Sequence, residues 1–472
     1  MQENISQIGF YDILNPMFNT QITDHKNFFS TGNTLNVKWR IEKLLTLKKT
    51  IKKYQKELLA ALKTDLNKPA FEAYVSEIGY IYDEISFLVK NLHAWNRPVK
   101  VPTPFFYSGS RSFIQPEPYG TVLIVSPWNY PILLSILPLA GAIAAGNCVV
   151  LKPSEYSAAS SQILEKIIRE AFEPGHVSVI QGTTTETQGL LKEKFDFIFF
   201  TGSSSTGKII AQIAARSLTP TALELGGKNP CVIHKDAEID LAAKKIAWAR
   251  LINCGQTCVA PDYLLIHNAV KSQFIEALKK HIVQFFGDDP EQSPDYGRII
   301  NQKNFERLVN IINSGRIVFG GKINPQTRYI SPTIMDELFS FDSIAMCEEI
   351  FGPIIVYTPY DDIKRAVSII NAKPKPLSAY LFSADKNIQD YFIARTSSGG
   401  VCINDVMLQS STQFLPFGGV GESGCGRYHG KASFECFCNK KSILISPPKA
   451  DMNLRYPPYK KFTFFLLRLF MR

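Results

Sequence analysis

Two cysteines, Cys254 and Cys258, stand four positions apart in INCGQTCVAP, an otherwise small and polar stretch. Metal ligation, a disulfide and nucleophilic attack are all open to such a pair, because the thiolate both binds metals and attacks carbon. Cys-x3-Cys is not the usual Cys-x2-Cys zinc spacing, and the seven histidines do not gather near it, which speaks against structural zinc. The nine cysteines are an odd number, spread singly or in loose pairs, and no apolar secretory segment follows the opening MQENISQIGFYD. A reducing, cytoplasmic setting is therefore expected, with a nucleophile still open.

A second candidate is FDFIFFTGSSSTGKIIAQIAA, which sets Gly-x4-Gly-Lys between an apolar run and a helical pattern. A phosphate-binding P-loop needs Ser or Thr directly after the lysine to hold Mg²⁺, and that position is Ile209. The G-x-G-x-x-G pattern is absent as well. Two readings remain. Gly202, Ser203 and Gly207 at a strand-to-helix junction can bring backbone N–H groups and a helix dipole to a phosphate, or Ser203 or Ser204 simply caps a tight turn. Lys152 and Glu155 in KPSE follow the run CVVLK, at the strand end where open α/β sheets bind ligands. They could grip ribose hydroxyls or form a surface ion pair.

These residues need a scaffold. With 472 residues, 45% hydrophobic and 20% charged, the chain is long enough for two or three domains around a large core. Lys plus Arg exceeds Asp plus Glu by 52 to 42, a net +10 that favours anionic ligands or membrane surfaces. The excess is scattered except in LTLKKTIKKYQKELL and YPPYKKFTFFLLRLFMR, and no zinc-finger, RNA-recognition or basic-zipper pattern accompanies it. No nucleic-acid partner is expected. Apolar residues at helical spacing predict one long amphipathic helix over 35–66, its lysines on a solvated face, and a second helix through FEAYVSEIGYIYDEISFLVKNLHAW. VKVPTPFFYSGSRSFIQPEPYG reads as extended chain. From 121 onward TVLIVS, CVVLK, HVSVI and FDFIFF, then NPCVIH, YLLIH, RIVFGG and PIIVYT, alternate with helical stretches. That texture predicts two open α/β domains with mostly parallel sheets, joined by a packed hinge near LELGGKNP.

PWNYP (127–131) follows one predicted strand, LELGGKNP (223–230) follows the glycine loop, INCGQTCVAP comes next, and EEIFGP (348–353) and PFGGVGESG (416–424) lie downstream. In this order, over about residues 35 to 445, these motifs resemble the aldehyde dehydrogenase superfamily. CVAPDY, SSGGVCINDV, GRYHGK and LRYPPY are similar to its class 3 branch, which includes the fatty aldehyde dehydrogenases. The resemblance implies an aldehyde dehydrogenase-like α/β fold. Residues 1-101 and 121-224 would form the NAD(P)-binding domain, 225-426 the catalytic domain, 102-120 and 427-443 a bridging element that pairs subunits, and 444-472 a tail. A homodimer is expected.

The same resemblance assigns Cys258 as nucleophile, with Cys254 at a variable position. A thiol attacks an aldehyde carbon readily, and the resulting alkoxide needs donors, which the resemblance supplies as the Asn129 side-chain amide and the Cys258 backbone N–H. Asn129 on its own would read as a turn-former between prolines. Glu224 corresponds to the base that activates water against the acyl thioester; between leucines its pKa should rise, unless it pairs with Lys228. For the cofactor, Lys152 and Glu155 fall on the adenosine ribose, Gly202, Ser203 and Gly207 on the pyrophosphate region, and Glu349 with Phe351 on the nicotinamide ribose. Trp128 and Leu225 are further contacts. Glu155 should repel an extra phosphate, so NAD is the expected cofactor and NADP the alternative. Ser204 and Ser205 depart from the Glu that many members carry in this loop.

The implied activity is NAD(P)-dependent oxidation of medium- or long-chain aliphatic or aromatic aldehydes to acids. The competing readings are transfer of the acyl group to coenzyme A, against which Glu224 argues, and a catalytically silent binding protein on the same fold. Oxidation between Cys254 and Cys258 would inhibit. The C-terminal KKFTFFLLRLFMR is too short to span a bilayer. Its basic and aromatic residues, with Lys461, Arg468 and Arg472 near one side, fit either a peripheral membrane contact or packing on a dimer or over the substrate funnel.

Overall fold

The computed structural model describes residues 18–107, 109–336, 343–449, 451 and 455–470. The opening MQENISQIGFYD and Arg472 lie outside these residues. The chain forms two compact units, one of residues 1–95 and 118–438, the other of residues 96–117 and 439–472.

The larger unit holds two sheets. One has the strand order Gly424–Cys425, Thr221–Leu225, Phe197–Gly202, Thr121–Val125, Cys148–Lys152, Val177–Val179. All pairs are parallel except that of Gly424–Cys425 with Thr221–Leu225. TVLIV and CVVLK are buried at every position, as strands covered on both faces must be. The chain runs outward from Thr121–Val125 through two strands, then returns to its other side with Phe197–Gly202, so the strand order reverses between these two. A crevice opens beyond the carboxyl ends at such a reversal.

The second sheet has the order Arg316–Phe319, Thr333–Asp336, Ile354–Tyr360, Tyr263–His267, Pro230–Ile233, Ser378–Phe382, Gly400–Ile403, and only Arg316–Phe319 is antiparallel. Apolar cores cover both faces of each sheet. The predicted α/β class holds, as do all eight apolar runs read as strands.

The helix expected over 35–66 is two helices, Val37–Lys53 and Gln55–Leu66. Tyr54 breaks it: its ring is buried under the ammonium groups of Lys53 and Lys166, and its hydroxyl donates to Glu170 at 2.6 Å. Leu44, Leu47 and Ile51 are buried before the break and Leu58, Leu62 and Leu66 after it, whereas Leu45 is exposed. The second expected helix is also interrupted. Ala70–Ala73 passes into a π-helical turn, Tyr74–Gly79, before Tyr80–Trp95.

Val99–Val101, Arg111–Pro118 and Cys438–Ile445 form a three-stranded sheet that lies in the smaller unit but for Pro118 and Cys438. The helix Lys461–Phe470 follows, with Phe462, Phe464 and Phe465 exposed.

Candidate active site

The loop after Thr121–Val125 carries Trp128 and Asn129, and the end of Phe197–Gly202 carries Gly202 and Ser203. Both loops sit at the strand-order reversal, and both line a cavity of about 680 Å³. Leu225, Glu224, Cys258, Glu349 and Phe351 border the same space. Nine of the twelve residues singled out from the sequence are therefore assembled around one cavity, in which Trp128 and Phe351 meet edge to face at 5.4 Å. Phe351 holds a positive φ of 50°, uncommon for a bulky residue and typical of a functional site.

The other three are elsewhere. Gly207 is buried in the helix Ser204–Arg216, where a Cβ would come within 2.5 Å of Leu225, so its smallness serves helix-to-sheet packing. Lys152 is buried off the cavity, its Nζ donating to Pro153 O at 2.8 Å and lying 3.7 Å from Glu155. The two readings of the loop merge, since Ser203 caps the helix by accepting from Thr206 N, and the capped N-terminus still borders the cavity.

Cys258 also borders a second cavity of about 710 Å³, lined by Tyr74, Tyr80, Tyr130, Trp248, Phe417 and others. Part of its surface faces these spaces, yet the thiol lies deep among packed atoms. Burial pushes its pKa up to about 12, nearby Glu349 and Glu224 add to the rise, and the backbone N–H groups of Cys258 and Val259 oppose it. Cys254 instead sits in the core with Tyr296, at φ 53°, and forms no disulfide with Cys258.

Glu224 is 3% exposed, and neither of its oxygens has a hydrogen-bond partner among the described residues. Burial holds its carboxyl well above the usual range, and Arg427 draws it down. The alternative pairing with Lys228 does not occur, because Lys228 pairs with Asp262 and donates to Ala345 O. Glu349 is pushed up to about 8, chiefly by burial.

Several anchors of this site went unread in the sequence. Asn229 donates to Cys258 O at 2.6 Å and Ala260 O at 3.0 Å and accepts from Ser378 N, holding the cysteine turn on the second sheet. Arg307 donates to Glu349 O and Ile350 O, fixing the EEIFGP backbone. Asn229 was within reach, as a polar residue directly ahead of a buried apolar strand.

A dinucleotide fits the larger-unit crevice. At Gly226 a Cβ would fall 1.9 Å from Glu349 Oε2, so only glycine leaves room for that carboxylate at the cavity edge. The N-terminus of Ser204–Arg216, whose Ser204 and Ser205 line the cavity, offers the positive end of a helix dipole. Thr201 adds a buried hydroxyl without a partner among the described residues. No group of three or more His, Cys, Asp or Glu placed to hold a metal occurs among the described residues.

A mostly parallel sheet that reverses its order beside a crevice lined by strand ends and a helix N-terminus is the arrangement of dinucleotide-binding α/β enzymes. Residues 18–443 match the aldehyde dehydrogenase family, to which the chain belongs. It is 45% identical over 439 residues to the 4,4'-diaponeurosporen-aldehyde dehydrogenase of Staphylococcus aureus, covering 93% of this chain and 95% of that one. It is 43% identical to the dimeric NADP-preferring aldehyde dehydrogenase of Canis lupus familiaris, covering 91% of this chain and 95% of that one. A substrate-bound structure of Staphylococcus aureus AldH superposes with a TM-score of 0.94 at 43% identity, covering 97% of this chain and all of that one. Family 3 members among the relatives accord with the class 3 resemblance. The protein is an oxidoreductase that oxidises aldehydes with NAD or NADP.

Proposed function

We propose that this enzyme oxidises medium- to long-chain aliphatic or aromatic aldehydes to acids through a thioester on Cys258. The observation that carries the reading is the position of Cys258 between a crevice bordered by Asn129, Ser203 and Glu349 and a cavity walled by tyrosines and Trp248. An apolar chain or ring entering the second cavity leaves water, and its carbonyl meets the sulfur at the far end.

The Cys258 sulfur bonds to the carbonyl carbon, and the developing alkoxide is held by the Asn129 amide and the Cys258 backbone N–H. The dinucleotide, when bound, supplies a positively charged ring that accepts the hydride. Trp128, Gly202, Ser203, Leu225, Glu349 and Phe351 would hold it in the first crevice, with Lys152 and Glu155 toward its ribose end. Glu155 disfavours a 2′-phosphate there, so NAD is the preferred cofactor. Positive charge beside Cys258 favours the thiolate that burial opposes. Glu224, unpartnered and buried, takes the proton from the water that hydrolyses the thioester.

Residues 1-101 with 121-224 serve the dinucleotide, 225-426 serve the aldehyde, and 102-120 with 427-443 pair two copies. Exposed Leu444 and Ile445 near the end of the strand Cys438–Ile445, and a relative named as dimeric, support the homodimer. The helix Lys461–Phe470, with three exposed phenylalanines beside Lys460, Lys461 and Arg468, supports peripheral contact of a cytoplasmic enzyme with an anionic membrane. No helix among the described residues is long and apolar enough to cross one.

A panel of short, long and aromatic aldehydes, assayed for cofactor reduction with and without coenzyme A, tests the activity. Highest kcat/KM for long or aromatic substrates, with the free acid as product, is expected; acyl-coenzyme A as the main product overturns the hydrolytic reading. Removing 460–472 should abolish co-sedimentation with anionic vesicles while leaving the dimer intact, and undiminished co-sedimentation discards the membrane contact.

A further inference from the structure

Beneath Asn129 lies an ion pair that takes no part in the chemistry above. Lys68 and Glu77 both have fully buried side chains, and Lys68 Nζ donates to Glu77 Oε1 at 2.5 Å. Burying two charges is costly, and an apolar pair of similar volume often does as well for stability. What this pair adds is geometry. Lys68 Nζ also donates to Asn129 O at 3.2 Å and lies 4.1 Å from the centre of the Tyr130 ring. The second Glu77 oxygen accepts from Ile132 N at 2.9 Å and Leu133 N at 3.3 Å, at the start of the helix Leu133–Ala145. A carboxylate there also meets the positive end of the helix dipole. The pair thus holds the loop on both sides of residue 129.

A second set of bonds closes on the same carbonyl. Asn253 Nδ2 donates to Asn129 O at 2.7 Å, and Asn253 N donates to Glu72 Oε1 at 2.9 Å. Asn253 and Cys254 both have positive φ, 50° and 53°, so this turn is strained and needs such anchors. With its carbonyl held twice, Asn129 directs its side-chain Nδ2 to Gln256 O at 3.1 Å, and its other N–H has no protein acceptor among the described residues. Tyr130, under the Lys68 ammonium, shares a 2.7 Å hydrogen bond with Thr257, the residue before the nucleophile. Glu77 lies in the π-helical turn Tyr74–Gly79, whose Tyr74, Val75 and Ser76 wall the apolar cavity. Such turns concentrate at functional sites.

We propose that Lys68 and Glu77 are positioning residues for the oxyanion donor: the buried pair fixes the backbone around Asn129, and with it the direction of the free amide N–H toward the carbonyl bound at Cys258. This rests on the role given above to Asn129. The pair touches neither substrate nor cofactor and acts only through that loop.

A double-mutant cycle tests it, with Asn129→Ala and Lys68→Met alone and together, measured on the full chain. Asn129→Ala should lower kcat by about 10²-fold, the usual loss for one oxyanion donor. Lys68→Met should lower kcat by about 10-fold or more with little change in aldehyde KM or in NAD affinity read by fluorescence quenching, yet have almost no further effect in the Asn129→Ala background. Losses that multiply overturn the positioning role while leaving Asn129 as donor. Full activity of Asn129→Ala alone overturns both. Should Lys68→Met fail to fold, Glu77→Gln, which keeps an oxygen to accept from Ile132 and Leu133, is carried through the same cycle with the same outcomes.

Discussion

The two cavities that meet at Cys258 are built differently. The first gathers strand ends, the N-terminus of Ser204–Arg216 and Gly226, whose missing side chain makes room for Glu349, with Trp128 and Phe351 on its wall. The second is walled by large side chains: Tyr82 and Trp248 on helices, Tyr74 on the π-helical turn and Tyr130 on the loop after Thr121–Val125. Backbone geometry suits a ligand of constant shape, whereas side chains can be exchanged without disturbing the sheet. The first cavity is thus tied to the fold, and the second is where substrate preference is adjustable.

The largest effect should come where the two meet. Cys258→Ser should reduce aldehyde oxidation by about 10³-fold or more, because a hydroxyl in this buried setting is a far weaker nucleophile. Dinucleotide affinity, measured by fluorescence, should stay within about threefold of wild type, since the cavity wall is unchanged. Near-normal turnover in this variant would dismantle the shared-sulfur picture.

Next in size, Glu224→Gln should slow steady-state turnover by about 10²-fold while a first burst of reduced cofactor persists, because acylation proceeds and hydrolysis stalls. The base works only when ionised, and burial raises its pKa well above the usual carboxylate range. Turnover limited by hydrolysis should therefore rise with pH as Glu224 loses its proton, at a pH above that of an ordinary glutamate, and the glutamine variant should lack this rise. An unchanged pH profile would remove Glu224 from the role.

The smallest effects separate the cavities from each other. Gly226→Ala forces Glu349 to move and should raise the cofactor KM about 10-fold for every aldehyde. Trp248→Ala should lower kcat/KM about 10-fold for long or aromatic aldehydes, the worth of one large apolar contact, and leave a two- or three-carbon aldehyde unaffected. If each variant altered both parameters alike, the division between backbone-built and side-chain-built cavities would fail.

The sequence revealed what is local and periodic. Buried strands such as TVLIV and CVVLK announced themselves as apolar runs, and eight of the residues picked out with the motifs line one cavity with Cys258. Features that depend on a distant partner were not legible. Tyr54 breaks a helix because Glu170, 116 positions away, takes its hydroxyl proton's hydrogen bond. Gly207 looks like a phosphate contact until Leu225 is seen packed against it. The strand Thr221–Leu225 was hidden inside a motif quoted for its glutamate, and Lys68 stood in the short link after Gln55–Leu66 with nothing nearby in sequence to mark its charge as buried.

The depth of the Cys258 thiol has a protective side. A sulfur whose proton is held by burial offers oxidants little anion to attack, which disfavours irreversible overoxidation. Its vulnerable moment coincides with the arrival of the cationic ring, when a carbonyl in the neighbouring cavity can claim the sulfur first.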